Sequence, residues 1–234
     1  MQQVLVVLTG AGISAESGLK TFRDAGGLWE GYRIDEVATP EAWQRNPQLV
    51  LDFYNMRRRE VRKAQPNAAH LKLAELEQYF DVRIITQNID DLHERAGSSK
   101  VLHLHGEILK MRSSLHPELI YPIDGDINLG DSAEDGAQLR PHVVWFGEPV
   151  PAMADALTWM EEADIFAVIG TSLQVYPAAG LLFHLNQFRP EVPVYIIDQK
   201  IPDVPIQPGW HLIEKPATLG VAVMADQLLS SLQS

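Results

Sequence analysis

The chain has 234 residues, 46% of them hydrophobic and 21% charged, with no cysteine and a formal net charge of −12 at pH 7. That length and apolar content can bury a full core, while the missing thiols exclude disulfides, thiolate metal sites and a cysteine nucleophile. The acidic balance argues against nonspecific nucleic-acid binding, and no apolar run approaches the roughly 18 residues of a membrane span. The start shows no basic region followed by a cleavage site, so a cytoplasmic chain with neither nucleic acid nor membrane as partner is expected.

The run Val4-Leu5-Val6-Val7-Leu8-Thr9 meets Gly10-Ala11-Gly12-Ile13-Ser14, which predicts a buried parallel strand turning directly into a helix. Glycine lets the backbone approach a bulky anion, and a helix start offers free N–H groups, so a dinucleotide pyrophosphate fits. The same glycines also serve plain tight turns. Lys20–Pro40 holds glycines and aromatics without clean periodicity, which predicts a long ordered loop. Helical patterns follow at Pro47–Ala64 and Asn67–Gln78, the second with Asn67 as N-cap and Leu71, Leu73 and Leu76 on its apolar face. Strands are expected at Val82–Thr86 and Val101–Leu104, and the polar, acidic, turn-rich Ser113–Gln138 reads as a small insert or hairpin. Further strands at Val143–Trp145, Ile165–Ile169 and Val194–Ile197 alternate with helices at Ala152–Glu162, Ala178–Gln187 and Thr218–Leu229. That alternation predicts an α/β fold, a parallel sheet with helices on both faces.

Ligands of such sheets collect at the carboxyl ends of the strands. There the chain places Thr9-Gly10, Thr86-Gln87-Asn88, His103–Gly106 and Gly170-Thr171-Ser172. In Gln87-Asn88-Ile89-Asp90-Asp91 a helix cap needs one polar residue, so the surplus favours a site. His103 and His105 share one face by strand alternation, with Leu104 on the other. A histidine at a strand end suits proton transfer, its unperturbed pKa being about 6.5. A His-x-His metal pair is the competing reading, with no third ligand evident.

Gly10-Ala11-Gly12-Ile13-Ser14, Phe22-Arg23, Gln87–Asp90, His105-Gly106, Phe146-Gly147-Glu148 and Gly170-Thr171-Ser172, in this order, resemble the sirtuin family of NAD-dependent protein-lysine deacylases, and within it the bacterial class III branch. The resemblance spans nearly the whole chain. It implies one catalytic domain over residues 1–234, a Rossmann-like parallel sheet plus a small module. The NAD-binding part would comprise about 1–19, 66–107 and 141–234, and the small part the insertions at about 20–65 and 108–140. By the same resemblance the Gly10–Trp29 segment holds NAD, with Phe22 and Arg23 near the pyrophosphate and reacting ribose. Gln87, Asn88, Ile89 and Asp90 face the ribose and nicotinamide, with Asn88 and Asp90 orienting them and Ala11 and Ile13 lining that pocket. His105 would be the general base. Gly170, Thr171 and Ser172 would hold the adenosine side, with Asp198 at its ribose and Ala217 at the adenine. Val144, Phe146 and Gly147 would pair with the backbone of an acyl-lysine protein substrate. The acyl-amide oxygen would attack the ribose anomeric carbon, nicotinamide would leave, and the base would deprotonate a ribose hydroxyl. No protein nucleophile is needed. A monomer is expected.

This chain departs from the family at several points. The family usually carries four zinc-binding cysteines after the His-Gly motif. Ser113–Gln138 has none, and His116 and His142 cannot replace four thiolates, so no metal and an insert held by packing are expected. Leu19-Lys20 stands for the usual Ile-Pro, and Asp198 for an asparagine; a carboxylate still accepts ribose hydroxyls but repels a nearby phosphate. Two rival readings are a Rossmann dehydrogenase, which lacks its second strand and acidic residue here, and a non-catalytic NAD or ADP-ribose sensor, which would have no use for His105. Tyr54 and Arg57 lie three apart on a helix and share a face. Arg57-Arg58-Arg59-Glu60 also reads as a solvated charge run. The spacing matches the Tyr-x-x-Arg pair of class III sirtuins, with Ala38 where that branch keeps a small residue in the acyl pocket. A guanidinium and a phenol together hold a carboxylate. Removal of succinyl and malonyl groups alongside acetyl is therefore expected, with deacetylation alone as the alternative.

Overall fold

A computed structural model describes residues 2–21, 28–29 and 31–232, so Phe22 and Arg23 lie outside the described residues. The N-terminal apolar run forms β1 (Val4–Thr9), buried on both faces: Leu5 and Val7 pack on one side, Val6 and Leu8 on the other. It passes through Gly10 into α1 (Ala11–Ala15). The stretch expected as a loop carries a minimal hairpin, β2 (Leu28–Trp29) with β3 (Tyr32–Arg33), and a short helix α2 (Ile34–Val37). Next come α3 (Pro40–Arg45), capped by Thr39, and α4 (Pro47–Lys63), capped by Asn46. Asn67 caps α5 (Ala68–Leu76) as its side chain predicts, accepting from the Ala69 N–H at 3.0 Å. Leu73 and Leu76 are buried, but Leu71 is 53% exposed; it falls on the solvent side of the turn, a correction to the expected apolar face.

The chain continues through β4 (Asp81–Thr86), α6 (Leu92–Ala96), β5 (Val101–His103), β6 (Gly106–Ser113), β7 (Ile120–Pro122) and β8 (Leu139–Val143). It ends with α7 (Met153–Glu161), β9 (Ile165–Ile169), α8 (Gly180–Phe188), β10 (Val194–Asp198), β11 (His211–Glu214) and α9 (Ala217–Ser231). Six strands form one parallel sheet in the order β11-β10-β9-β1-β4-β5. Helices α5 and α9 cover one face with Leu73, Val221 and Met224, while α7 and α8 cover the other with Met160, Leu181 and Leu182. This is the Rossmann-like α/β architecture that the alternation of elements predicts. No helix among the described residues is long and apolar enough to cross a membrane.

The strand expected at Val143–Trp145 is placed otherwise. Β8 ends at Val143 and pairs antiparallel with β6 in a separate three-stranded sheet, β7-β6-β8. That sheet belongs to the segment inserted after the His-Gly turn, and α4 holds it. Arg58 donates through Nε to the Ile108 carbonyl at 2.8 Å and through Nη1 to Asn55 Oδ1 at 2.7 Å and the Gly125 carbonyl at 3.4 Å. Asn55 in turn bonds both backbone groups of Ile127, at 2.9 and 3.0 Å. Arg59 pairs with Asp126 at 2.5 Å, and Arg62 reaches the carbonyls of Ile123 and Asp124. Beneath these contacts Leu51, Ile123, Ile127 and Leu139 form a small core. Arg58 is 1% exposed, and burial lowers its guanidinium to about 10, which keeps it cationic at neutral pH.

The tetrathiolate zinc site associated with this insert does not fit the chain. Ser113 Oγ is already committed, donating to Asp135 and accepting from the N–H groups of Leu115 and His116. Among the described residues no group of three or more His, Cys, Asp or Glu side chains could hold a metal.

Candidate active site

Strands β4 and β9 flank β1, with β4 and β5 built out to one side and β9, β10 and β11 to the other, so a crevice opens at their carboxyl ends. A cleft of about 500 Å³ occupies it, running from Ala38, Tyr54 and Arg57 past His105 and Asn88 to Asp198 and Ala217. The two glycine turns meet at its floor. Gly10 N–H donates to the Ile169 carbonyl at 3.0 Å and Gly12 N–H to the Gly170 carbonyl at 2.8 Å. A Cβ on Gly12 would stand 2.7 Å from Gly170 Cα, and Gly170 has φ +63° with only 2.4 Å to the Ile13 nitrogen. Side chains at either position would force the turns apart, so glycine is required by close approach.

The polar segment after β4 is locked into this floor. Asn88 Nδ2 donates to the Gly10 carbonyl and to Ser14 Oγ, both at 3.1 Å; Ser14 Oγ donates to Asp90 Oδ2 at 3.1 Å. Asp90 Oδ1 accepts the Leu92 N–H at 3.2 Å, and burial raises the carboxyl above its ordinary value. Thr86 Oγ1 holds the Asn88 N–H at 3.0 Å and bonds Thr9 Oγ1 at 2.9 Å, which meets His93 Nε2 at 3.1 Å. Gln87 Nε2 spans to Thr171 Oγ1 at 3.0 Å and ties the ends of β4 and β9 together.

The two histidines separate cleanly. His105 Nδ1 lies 2.9 Å from the Gln87 carbonyl, an acceptor only, so Nδ1 carries the proton and Nε2 keeps its lone pair. Burial lowers the His105 pKa, so the ring is neutral at pH 7. His103 meets the Asn88 carbonyl at 3.1 Å and Glu94 Oε1 at 2.6 Å. Both partners accept, so both nitrogens donate; burial alone would lower its pKa, but Glu94 outweighs that and raises it. His105 lines the cleft with the lone pair of a base, whereas His103 is a hydrogen-bonded strut beneath Asn88.

The opposite wall is built from α4 and the residues after β8. Val144 N–H donates to the His105 carbonyl at 2.9 Å and Phe146 N–H to the Ala38 carbonyl at 3.0 Å. Glu148 is tied into this wall: it takes Arg140 at 2.7 and 3.1 Å, Arg112 at 3.4 Å and the Trp145 N–H at 2.8 Å. Trp145 Nε1 donates to the Tyr54 hydroxyl at 3.1 Å. Arg57 is 6% exposed, with Nη1 3.0 Å from Glu60 Oε2 and its guanidinium over the Trp29 ring at 5.4 Å. The solvated-run reading therefore fails for Arg57 and Arg58 and holds for Arg59, whose side chain is 55% exposed.

A Sir2 family model matches residues 10–177. The chain belongs to the Sir2 family. It is 53% identical over 225 residues to an NAD-dependent protein deacylase of Helicobacter pylori strain J99, covering 96% of this chain and 95% of that one. An NAD-dependent protein deacylase of Bacteroides thetaiotaomicron is 51% identical over 231 residues, covering 96% and 97%. A Sir2 homologue solved with NAD superimposes with a TM-score of 0.86 at 37% identity, covering 99% of this chain and 91% of the other. A Sir2 protein bound to acetylated peptide matches with a TM-score of 0.79 at 29% identity, covering 97% and 93%.

Of the sirtuin residues expected from sequence, Gly10, Ala11, Gly12, Ser14, Trp29, Gln87, Asn88, Ile89, Asp90 and His105 border this one cleft. So do Gly170, Thr171, Ser172, Asp198, Ala217, Ala38, Tyr54, Arg57, Val144, Phe146 and Gly147. Ile13 is different: its side chain is fully buried in the core beneath the sheet, with Leu5, Leu73 and Ile84, and does not line the sirtuin cleft. The Thr9–Thr86–His93 brace and Trp145 were not anticipated. Trp145 immediately precedes Phe146-Gly147-Glu148, and a tryptophan between a strand and that turn was the available signal.

Proposed function

We propose that this NAD-dependent protein deacylase removes succinyl and malonyl groups from protein lysines as well as acetyl, releasing nicotinamide and O-acyl-ADP-ribose. One observation carries the reading: Tyr54 and Arg57, a phenol and a guanidinium on one face of α4, are both buried and both border the cleft beside Ala38. In that setting a carboxylate at the end of the acyl chain would gain charge-assisted hydrogen bonds, whereas acetyl offers no anion.

The residues around the cleft fit NAD. The glycine contacts at Gly12 and Gly170 leave bare backbone for a pyrophosphate, with Phe22 and Arg23 assigned beside it. Ser14, Asn88 and Asp90 form a hydrogen-bonded set able to orient the nicotinamide ribose and amide. Asp198 and Ala217 take the adenosine ribose and adenine, with Gly170, Thr171 and Ser172 on the same side. Bound NAD supplies the anomeric carbon and the leaving nicotinamide. His105 Nε2 receives the ribose hydroxyl proton, its Nδ1–H being held by Gln87. Val144–Gly147 lies along the peptide backbone as an added strand, with Phe146, 42% exposed, beside the substrate. A Sir2 relative bound to acetylated peptide supports a peptide as the substrate. We assign residues 1–19, 66–107 and 141–234 to the NAD-binding part, 20–65 and 108–140 to the small module, and the cytoplasm as compartment.

Deacetylation alone is the second reading, favoured by the Arg57–Glu60 pair, which already matches the guanidinium charge. Steady-state kinetics on succinyl-, malonyl- and acetyl-lysine peptides decide between them. Replacing Tyr54 by Phe together with Arg57 by Met should raise the succinyl KM about tenfold to a hundredfold, the range for losing hydrogen bonds to a charge. The acetyl KM should change far less. Equal losses on both peptides would assign the pair to structure.

A further inference from the structure

We propose that Trp145 is a positioning residue that selects for carboxylate-ended acyl groups by fixing the direction of the Tyr54 hydroxyl proton. The inference rests on Tyr54 being an acyl contact, as proposed above. An indole N–H can only donate. At 3.1 Å from Trp145 Nε1, the Tyr54 oxygen is therefore the acceptor, and its own proton must point away from the indole. This is the hydrogen bond that the Tyr54 side chain makes among the described residues, and the ring borders the same cleft as Arg57. With the lone pair toward Trp145 occupied, the O–H is held as a donor on the side away from the indole, in a residue that borders the cleft together with Arg57. A hydroxyl free to rotate would spend part of its time presenting a lone pair to an incoming carboxylate, which repels. Burial holds the phenol far above its ordinary range, so the proton is present at every working pH.

Trp145 is itself immobilised. Its backbone N–H donates to Glu148 Oε2 at 2.8 Å, and the Arg140 guanidinium lies over its ring at 3.2 Å. Glu148 is clamped by Arg140 and Arg112, so the indole is wedged between a charged cluster on one side and Tyr54 on the other. Phe146 N–H on the Ala38 carbonyl fixes the next residue against the acyl pocket wall. The indole is 2% exposed, and its N–H is spent on one acceptor.

The test is the ratio of kcat/KM on succinyl-lysine to that on acetyl-lysine peptide, which cancels any loss the two substrates share. Trp145→Phe keeps an aromatic face for Arg140 and removes the N–H. The ratio should fall about fivefold, on the order of one neutral hydrogen bond, through KM rather than kcat. In the Tyr54→Phe background the same change should leave the ratio where Tyr54→Phe put it. Should Trp145→Phe fold poorly, benzothienylalanine at 145 keeps the bicyclic shape with sulfur for N–H and should give the same shift. An unchanged ratio in a folded variant, or a loss that adds to that of Tyr54→Phe, overturns the role of Trp145. If Tyr54→Phe lowers the ratio and Trp145→Phe does not, only this inference falls. If Tyr54→Phe leaves the ratio unchanged, the acidic-acyl reading falls as well.

Discussion

Replacing His105 by alanine removes the one ring in the cleft that combines a neutral state with an oriented lone pair. The Gln87 carbonyl fixes the tautomer at 2.9 Å, and burial keeps the ring unprotonated. A general base of this kind contributes about 10² to 10⁴-fold, or roughly 3 to 5 kcal/mol of barrier. Nicotinamide release with acyl-peptide should therefore drop by that factor, while calorimetry with NAD still detects binding, because Ser14, Asn88 and Asp90 hold one another without help from the imidazole. The native enzyme should show a matching pH profile. Because the folded pKa lies below 6.5, the base is available at neutral pH, and the acid limb of kcat/KM, which reports the free enzyme, should fall below that value. Turnover of His105→Ala within tenfold of native, or an acid limb at or above pH 7, would refute the assignment.

Three further outcomes test the scaffold. Metal analysis should find substoichiometric zinc, and a chelator should leave Tm unchanged; one zinc per chain whose removal lowers Tm would show that the insert was misread. Arg58→Met should destabilise by about 2–4 kcal/mol in urea melts, since it strands the buried Ile108 carbonyl and leaves Asn55 Oδ1 with the Ile127 N–H alone; a loss under 1 kcal/mol would mean the guanidinium is dispensable. Burial lowers His70 to about 4, so below pH 6.5 the unfolded chain binds more protons than the folded one and stability falls as pH drops toward 4. His70's share of the loss at pH 4.5 should be on the order of 2–3 kcal/mol, beside what the likewise depressed His93 and His142 add, and a His70→Leu variant that loses as much as the native chain would assign it to other groups.

The sheet was legible where strands are buried on both faces. In β1 the five residues from Val4 to Leu8, and in β9 Ile165–Ile169, are apolar throughout because helices cover both sides. Strand β11 escaped notice because it is an edge: of His211, Leu212, Ile213 and Glu214 only Ile213 is buried. The β6 strand escaped for a related reason, since Glu107, Lys110 and Arg112 break any apolar run while it pairs with β7 and β8. The cleft residues were legible because glycine and polar residues clustered at strand ends. The state of Arg57 and Arg58 was not. Their helix offers a local pattern of charge, whereas what buries Arg58 comes from Ile108 and Gly125, 50 and 67 residues away. Ile13 misled for the opposite reason: one turn of α1 carries its neighbour Ser14 to Asp90 and Asn88 while sending Ile13 into the core.

Helix α4 presents two stripes of side chains. Tyr54, Arg57 and Val61 border the cleft, while Asn55, Arg58 and Arg62 grip the 123–127 loop and Ile108. The stripes have the same spacing and sit one residue out of phase, about 100° apart around the axis. Adding a single residue between the Asn46 cap and Tyr54 would turn the cleft stripe, with its phenol, toward the insert, and deleting one would turn the clamp toward the cleft. The length of this helix before Tyr54 thus sets which stripe meets the cleft: side chains of that segment can change without turning the helix, but its residue count cannot.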